Sequence, residues 1–390
     1  MTDSDIRLLA SLAMPSPNAE LATLIGSALF GAIAEPGREG GVTPVRLPSW
    51  TRAQDGADPM FRSTVAANSG VRLEFDTAAS SMSLRLRFTR TSFFFVPFPP
   101  RPAVVSVTAD GREQHFSFDE GDVEHIDENL GTTLVPGSES TLHIDLGPAP
   151  APRRVTVWLP HTSGVEILGL EADDTLAPAP RTRTRWVHYG SSISHCLEAD
   201  SPLGVWPVVT ARSLDLDLVN LGLAGSALLD GFVARTIRDT PADLISLKVG
   251  INVVNTGGFR VRTFIPALHA FLDTIREGHP RTPIVLISPI VCPPHEDAPG
   301  PTEWSPTGQA LGTSVARRPL DGQLTLRDIR AIIETVVAER SREDAALRYL
   351  DGRELFGPDD LEHLPDALHP DPAGYRLMGE RMAAYWRATL

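Results

Sequence analysis

Apolar and polar residues alternate along the chain from about residue 40 to about residue 170, and the alternation then stops. Val71-Arg72-Leu73-Glu74-Phe75 and Leu84-Arg85-Leu86-Arg87-Phe88 put an apolar side chain at every second position. His115–Phe118, Leu142–Leu146 and Val155–Leu159 repeat the pattern. Successive side chains of a strand point to opposite faces, so period two predicts strands with one buried face. Gly, Pro, Asp and Ser clusters separate these runs. Together they predict an all-β sandwich of jelly-roll type. A short helix is expected to begin at Asn18. Residues 173–185 mix acid, proline and arginine without a period and read as a linker. The expected division is therefore residues 1–180 and residues 181–390.

Beyond the linker the period changes. Apolar runs at Trp186–Tyr189, Leu216–Leu221, Leu244–Val249, Ile284–Ile290 and Leu347–Leu350 predict strands buried on both faces. Between them Phe264, Leu268, Phe271, Leu272 and Ile275 form one helical stripe, and Leu326, Ile329, Ile333 and Val336 form another. Alternating strand and helix predicts an α/β domain with an open parallel sheet and helices on both sides. Ligands of such sheets sit beyond the carboxyl ends of the strands, so those ends are where chemistry is sought.

Composition narrows the field. The formal charge is −14, from 35 basic and 49 acidic residues, which gives no electrostatic reason to bind nucleic acid or an anionic membrane. No run approaches the length of a membrane span. The N-terminal apolar run is short and follows acidic residues, so a cytoplasmic protein is expected. The 2 cysteines, Cys196 and Cys292, cannot make a disulfide framework. Lys248 is the only lysine and reads as incidental, a matter of codon bias.

Four strand ends carry candidate chemistry. The first run ends in Gly190-Ser191-Ser192, a turn that can present a hydroxyl or be a serine-rich turn only. The second ends in Asn220-Leu221-Gly222-Leu223-Ala224-Gly225, where glycines let a backbone amide approach a ligand or simply make a turn. The third ends in Gly250-Ile251-Asn252, whose side-chain amide can donate to an oxyanion or cap a helix. Before the last helical pattern stands Asp366-Ala367-Leu368-His369, in which the carboxylate can hold the imidazole as a general base, or cap a turn beside a surface histidine.

In this order along residues 186–390, the four motifs resemble those of the SGNH, or GDSL-type, serine hydrolase family. The resemblance implies a flavodoxin-like α/β/α domain with Ser192 as nucleophile, His369 as base and Asp366 as its orienting acid. It also implies an oxyanion hole of the Ser192 N–H, the Gly225 N–H and the Asn252 side chain. The family often has Gly-Asp-Ser at the nucleophile, and here Ser191 fills the aspartate position. An α/β-hydrolase elbow would have glycine at the fifth position, where this chain has Ser194. Trp206-Pro207 is expected to extend the helix that follows Ser192, with Cys196 packed in the core.

Outside the motifs, Val291-Cys292-Pro293-Pro294-His295-Glu296 opens a long Pro/Gly-rich stretch that contains Trp304. His295, Glu296 and Trp304 are expected to wall a substrate pocket, and Phe95 of the Phe93–Phe98 run is a further candidate for it, although core or inter-domain packing is the favoured reading of that run. Cys-x-x-His without further ligands does not make a metal site. No cofactor is called for.

The whole layout resembles a narrower, actinomycete group of two-domain natural-product acyltransferases, with two-domain carbohydrate acetyl esterases the nearest other group. The implied reaction is acyl transfer through acyl-Ser192, from an ester or a thioester such as an acyl-CoA to a hydroxyl of a polyketide or tetracycline. Ester hydrolysis is the alternative, and a carbohydrate-binding scaffold without catalysis is the other. The expected partners are a small-molecule acyl donor and a hydroxyl acceptor.

Overall fold

The computed structural model describes residues 19–94, 96, 98–313 and 318–389. They divide into two compact units. The first holds the described residues up to Val45, Ala66–Asn68 and Arg72–Pro180. It is built on two sheets. One has the strand order Leu29–Phe30, Arg72–Thr77, Arg153–Trp158, Ala103–Ala109, Arg112–Phe118. The other runs Ile33–Pro36, Val42–Val45, Ser163–Ala172, Ser81–Phe93, Asp122–Ile126, Thr132–Val135, with Ser140–Asp145 also on Ser81–Phe93. The period-two pattern does what it predicts: Leu84, Leu86 and Phe88 are buried while Arg85 is exposed. The helix expected after Asn18 spans Ala19–Ala28. Part of the expected linker joins a sheet, because Ala177 and Pro178 pair with Asp76 and Phe75. A two-residue ladder is too short to leave a period in the sequence.

The second unit takes Arg181–Leu390 together with Arg46–Val65 and Ser69–Val71, segments that the division at residue 180 assigns elsewhere. Its centre is a five-stranded parallel sheet. The strands are β1 (Arg185–Gly190), β2 (Asp217–Gly222), β3 (Leu244–Lys248), β4 (Ile284–Ile287) and β5 (Leu347–Leu350). They stand in the order β2-β1-β3-β4-β5, the flavodoxin-like order, whose direction reverses between β1 and β3. The crevice beyond the ends of those two strands is where such a sheet binds its ligand.

Helices follow the predicted stripes. Val261–Gly278 buries Phe264, Leu268, Phe271, Leu272 and Ile275. Leu326–Arg340 starts from a capping box, in which Thr325 and Asp328 satisfy each other's backbone amides. The last helix spans Pro372–Thr389. Trp206 does not extend the helix that follows Ser191. That helix, Ser192–His195, is one turn long and closes at Cys196, whose φ is 62°. Trp206 opens a separate helix to Leu214 and donates from its indole to the Ile193 carbonyl at 2.8 Å. A further helix, Pro59–Ala66, lies where the sequence pattern predicts only strands. Among the described residues, no helix is long and apolar enough to cross a membrane.

Candidate active site

The site begins where β1 ends. Ser191 caps the one-turn helix, its hydroxyl accepting from the Ile193 amide. Ser192, the first residue of that helix, points its Oγ to 2.9 Å from His369 Nε2. His369 Nδ1 lies 2.7 Å from Asp366 Oδ2. An ionised carboxylate can only accept, so the proton between them sits on Nδ1 and leaves the Nε2 lone pair facing the serine hydroxyl. The other oxygen, Asp366 Oδ1, accepts from the backbone amides of Leu368 and His369 at 2.8 and 2.6 Å. Burial opposes ionisation of Asp366, but the His369 hydrogen bond and charge and these amides outweigh it, and its pKa falls below the ordinary value. Ala367, between acid and base, has φ of 67°, a left-handed conformation that alanine rarely adopts. Local hydrogen bonds keep it there: the Ala367 N–H donates to the Leu364 carbonyl, and the Cys292 thiol lies 3.4 Å from the Ala367 carbonyl.

Three donors are the candidates for an oxyanion hole: the Ser192 N–H at the start of its helix, the Gly225 N–H in the loop after β2, and Asn252 Nδ2, which has no hydrogen-bond partner among the described residues. The first is an amide that a helix start leaves unbonded by construction. Asn252 is 1% exposed. Its Oδ1 accepts from the Ala227 amide at 3.0 Å, which fixes the side-chain orientation and leaves the NH₂ group buried and unsatisfied. A buried unpaired donor costs about 1–3 kcal/mol, and a developing oxyanion would relieve it. The left-handed φ of 70° at Gly225 suits glycine there. Gly222 is required for a different reason: a Cβ would come within 2.4 Å of the His195 amide nitrogen, so the Ser192–His195 helix could not lie so close to the end of β2.

Under this layer lies a polar network that the sequence patterns do not reveal. His188 on β1 is completely buried. Its Nδ1 is 2.7 Å from Ser246 Oγ and its Nε2 is 2.8 Å from Ser194 Oγ, while Trp186 donates to Ser246 at 2.8 Å. Burial, with the charge of Lys248, pushes the His188 pKa down to about 3, so the ring is neutral and works as a tether for the Ser192–His195 helix. Cys196 and Cys292 are buried free thiols, and burial raises the pKa of both. Neither has thiolate character, so neither competes as a nucleophile.

The remaining candidates are placed differently from one another. His295 is buried, with Nε2 2.7 Å from Thr302 Oγ1 and Nδ1 3.4 Å from the Ala298 carbonyl, both partners being in its own loop. Glu296 forms a two-pronged ion pair with Arg330 at 2.6 and 2.8 Å and accepts from the Cys292 amide. The structure uses both side chains to hold the loop together. Trp304 is half exposed, in a small ladder where it pairs with Ala310. The Ala310 amide donates to the Asp366 carbonyl at 2.8 Å, which ties that ladder to the turn of the acid. Phe95 lies outside the described residues. Among the described residues, no cluster of histidine, cysteine and acid suits a metal ion.

Residues 188–377 match the model of the GDSL-like lipase/acylhydrolase family, and this stretch is a GDSL-like domain. Among solved structures, the chain is similar over almost its whole length to the salicylyl-acyltransferase SsfX3 from a tetracycline biosynthetic pathway. The two are 29% identical with a TM-score of 0.74, covering 93% of this chain and 95% of that one. Two family two carbohydrate esterases share the fold. The one from Clostridium thermocellum, in complex with cellohexaose, is 15% identical with a TM-score of 0.59, covering 93% of this chain and 98% of that one. The one from Cellvibrio japonicus is 14% identical with a TM-score of 0.54, covering 94% and 96%. Among curated proteins, no sequence match reaches significance.

Proposed function

We propose that this protein is a serine acyltransferase that passes an acyl group, through acyl-Ser192, from an ester or thioester such as an acyl-CoA to a hydroxyl of a polyketide-like natural product. Ser192 Oγ attacks the donor carbonyl while its proton moves to His369 Nε2. Asp366 holds the ring and stabilises the imidazolium. The oxyanion forms against the Ser192 and Gly225 amides and the Asn252 NH₂ group. Collapse breaks the carbonyl bond to the leaving alkoxide or thiolate, which takes the proton from His369. The acceptor hydroxyl then gives its proton to His369 and its oxygen to the acyl carbon, and Ser192 leaves as the hydroxyl. Trp304 supplies an aromatic wall for the acyl group or the acceptor.

The observation that carries transfer over hydrolysis is the 29% identity to a salicylyl-acyltransferase along nearly the full length of both chains. The site also keeps Ser192 8% exposed, and a dry nucleophile favours a fitted alcohol over water. The test is partition of a preformed acyl-enzyme. Offered a polycyclic phenol or alcohol, it should discharge faster than in buffer and yield the acylated acceptor. Discharge at an unchanged rate with no acylated alcohol would leave ester hydrolysis as the reaction.

A further inference from the structure

Thr64 lies on the Pro59–Ala66 helix, outside the 188–377 stretch that the family model matches. It is 5% exposed, and its Oγ1 sits between two elements of the candidate site. The Ala224 amide donates to it at 2.9 Å, and His195 Nδ1 is 2.8 Å away. An amide can only donate, so the threonine oxygen accepts from Ala224, and the same hydroxyl shares a hydrogen bond with His195 Nδ1, whose donor is set by the imidazole tautomer. Ala224 precedes Gly225, and His195 is the last residue of the one-turn helix that Ser192 begins. One hydroxyl therefore fixes the spacing between the two elements that carry the backbone donors for the oxyanion.

Neighbouring contacts brace the same place. Ser69 Oγ donates to the His195 carbonyl at 2.8 Å, and Asn220 Nδ2 reaches Ser69 Oγ and the Ser194 carbonyl, both at 2.9 Å. The buried Arg46 guanidinium donates to the carbonyls of Asn220 and Gly222 and to that of Thr64 itself. Between them these contacts hold the backbone around Thr64, the end of β2 and the nucleophile helix in one frame.

We infer that Thr64 is a positioning residue for the oxyanion hole, acting through Ala224 and His195 without touching substrate. This rests on the reading of Ser192 as nucleophile. Donors set a fraction of an ångström wrong stabilise the tetrahedral anion less while binding the ground-state ester equally well. The experiment compares wild type, Thr64→Val, Thr64→Ser and Ser192→Ala in p-nitrophenyl acetate acylation, with phenylboronic acid as a tetrahedral mimic. Thr64→Val should acylate at least about tenfold more slowly with KM within about twofold, and its boronate affinity should fall by a similar factor. Thr64→Ser, which keeps the hydroxyl, should restore both. A Thr64→Val variant that acylates within about twofold of wild type overturns the inference. So does one that loses its fold, or one whose loss Thr64→Ser does not restore, because Thr64 would then serve folding alone. Ser192→Ala separates the two readings: a burst that persists in it refutes the nucleophile, whatever Thr64 does.

Discussion

Asn252 shows how a single residue can carry a functional reading. Its carbonyl oxygen is engaged by Ala227, and its NH₂ group is buried with no hydrogen-bond partner among the described residues. A capping asparagine would be satisfied in the resting protein; an oxyanion donor has to wait. Asn252→Ala should therefore lower kcat by about 10²–10³-fold with little change in KM, measured by steady-state ester turnover. A near-normal kcat, or a loss confined to KM, would remove Asn252 from the hole. Residues of this kind were legible because each stands at a strand tip or in a local turn, and Asp366 and His369 are only three apart. Thr64, Ser69, His188 and Ser246 were not legible. Each acts through a partner distant in sequence, and a threonine or histidine with a far-off partner leaves no spacing to read.

At the scale of elements, hydrophobic period carried most of the fold. The strands of the parallel sheet fall within a residue or a few of the apolar runs, because burial on both faces demands continuous apolar sequence. What the period missed was short: the Pro59–Ala66 helix and the Ala177–Pro178 ladder. Elements of so few residues do not complete a recognisable repeat. β3 holds the other surprise, since the single lysine, Lys248, is 1% exposed at its end. Burial, with the charge of Arg330 adding to it, pushes its pKa down from 10.5 to about 7. Between those values the unfolded chain holds a proton that the native chain has released, so stability should rise with pH across that window. Lys248→Met should flatten that rise and raise the urea midpoint at pH 6. Midpoints with the same pH dependence as wild type would show that the buried ammonium costs nothing.

For the molecule as a whole, the change of period near residue 180 separates a sheet-rich unit from an α/β unit, but contacts draw the line less simply. Residues 46–65 and 69–71 precede most of the strands of the first unit and yet belong with the second. Their ties are hydrogen bonds from Arg46, Thr64 and Ser69, an edge-to-face contact of Phe61 with Phe232 and the stacking of Arg235 over Trp50, single contacts that leave no period in the sequence. The −14 charge gives no electrostatic reason to bind a polyanion and has no bearing on the reaction. The account depends on one covalent event, and that event can be weighed directly. Enzyme mixed with p-nitrophenyl acetate, quenched within the burst and digested, should carry a single acetyl group on the peptide that contains Ser192. The burst should survive Ser191→Ala, which removes only a helix cap, and vanish in Ser192→Ala. Acetylation at another residue, or a full burst from Ser192→Ala, would contradict the account.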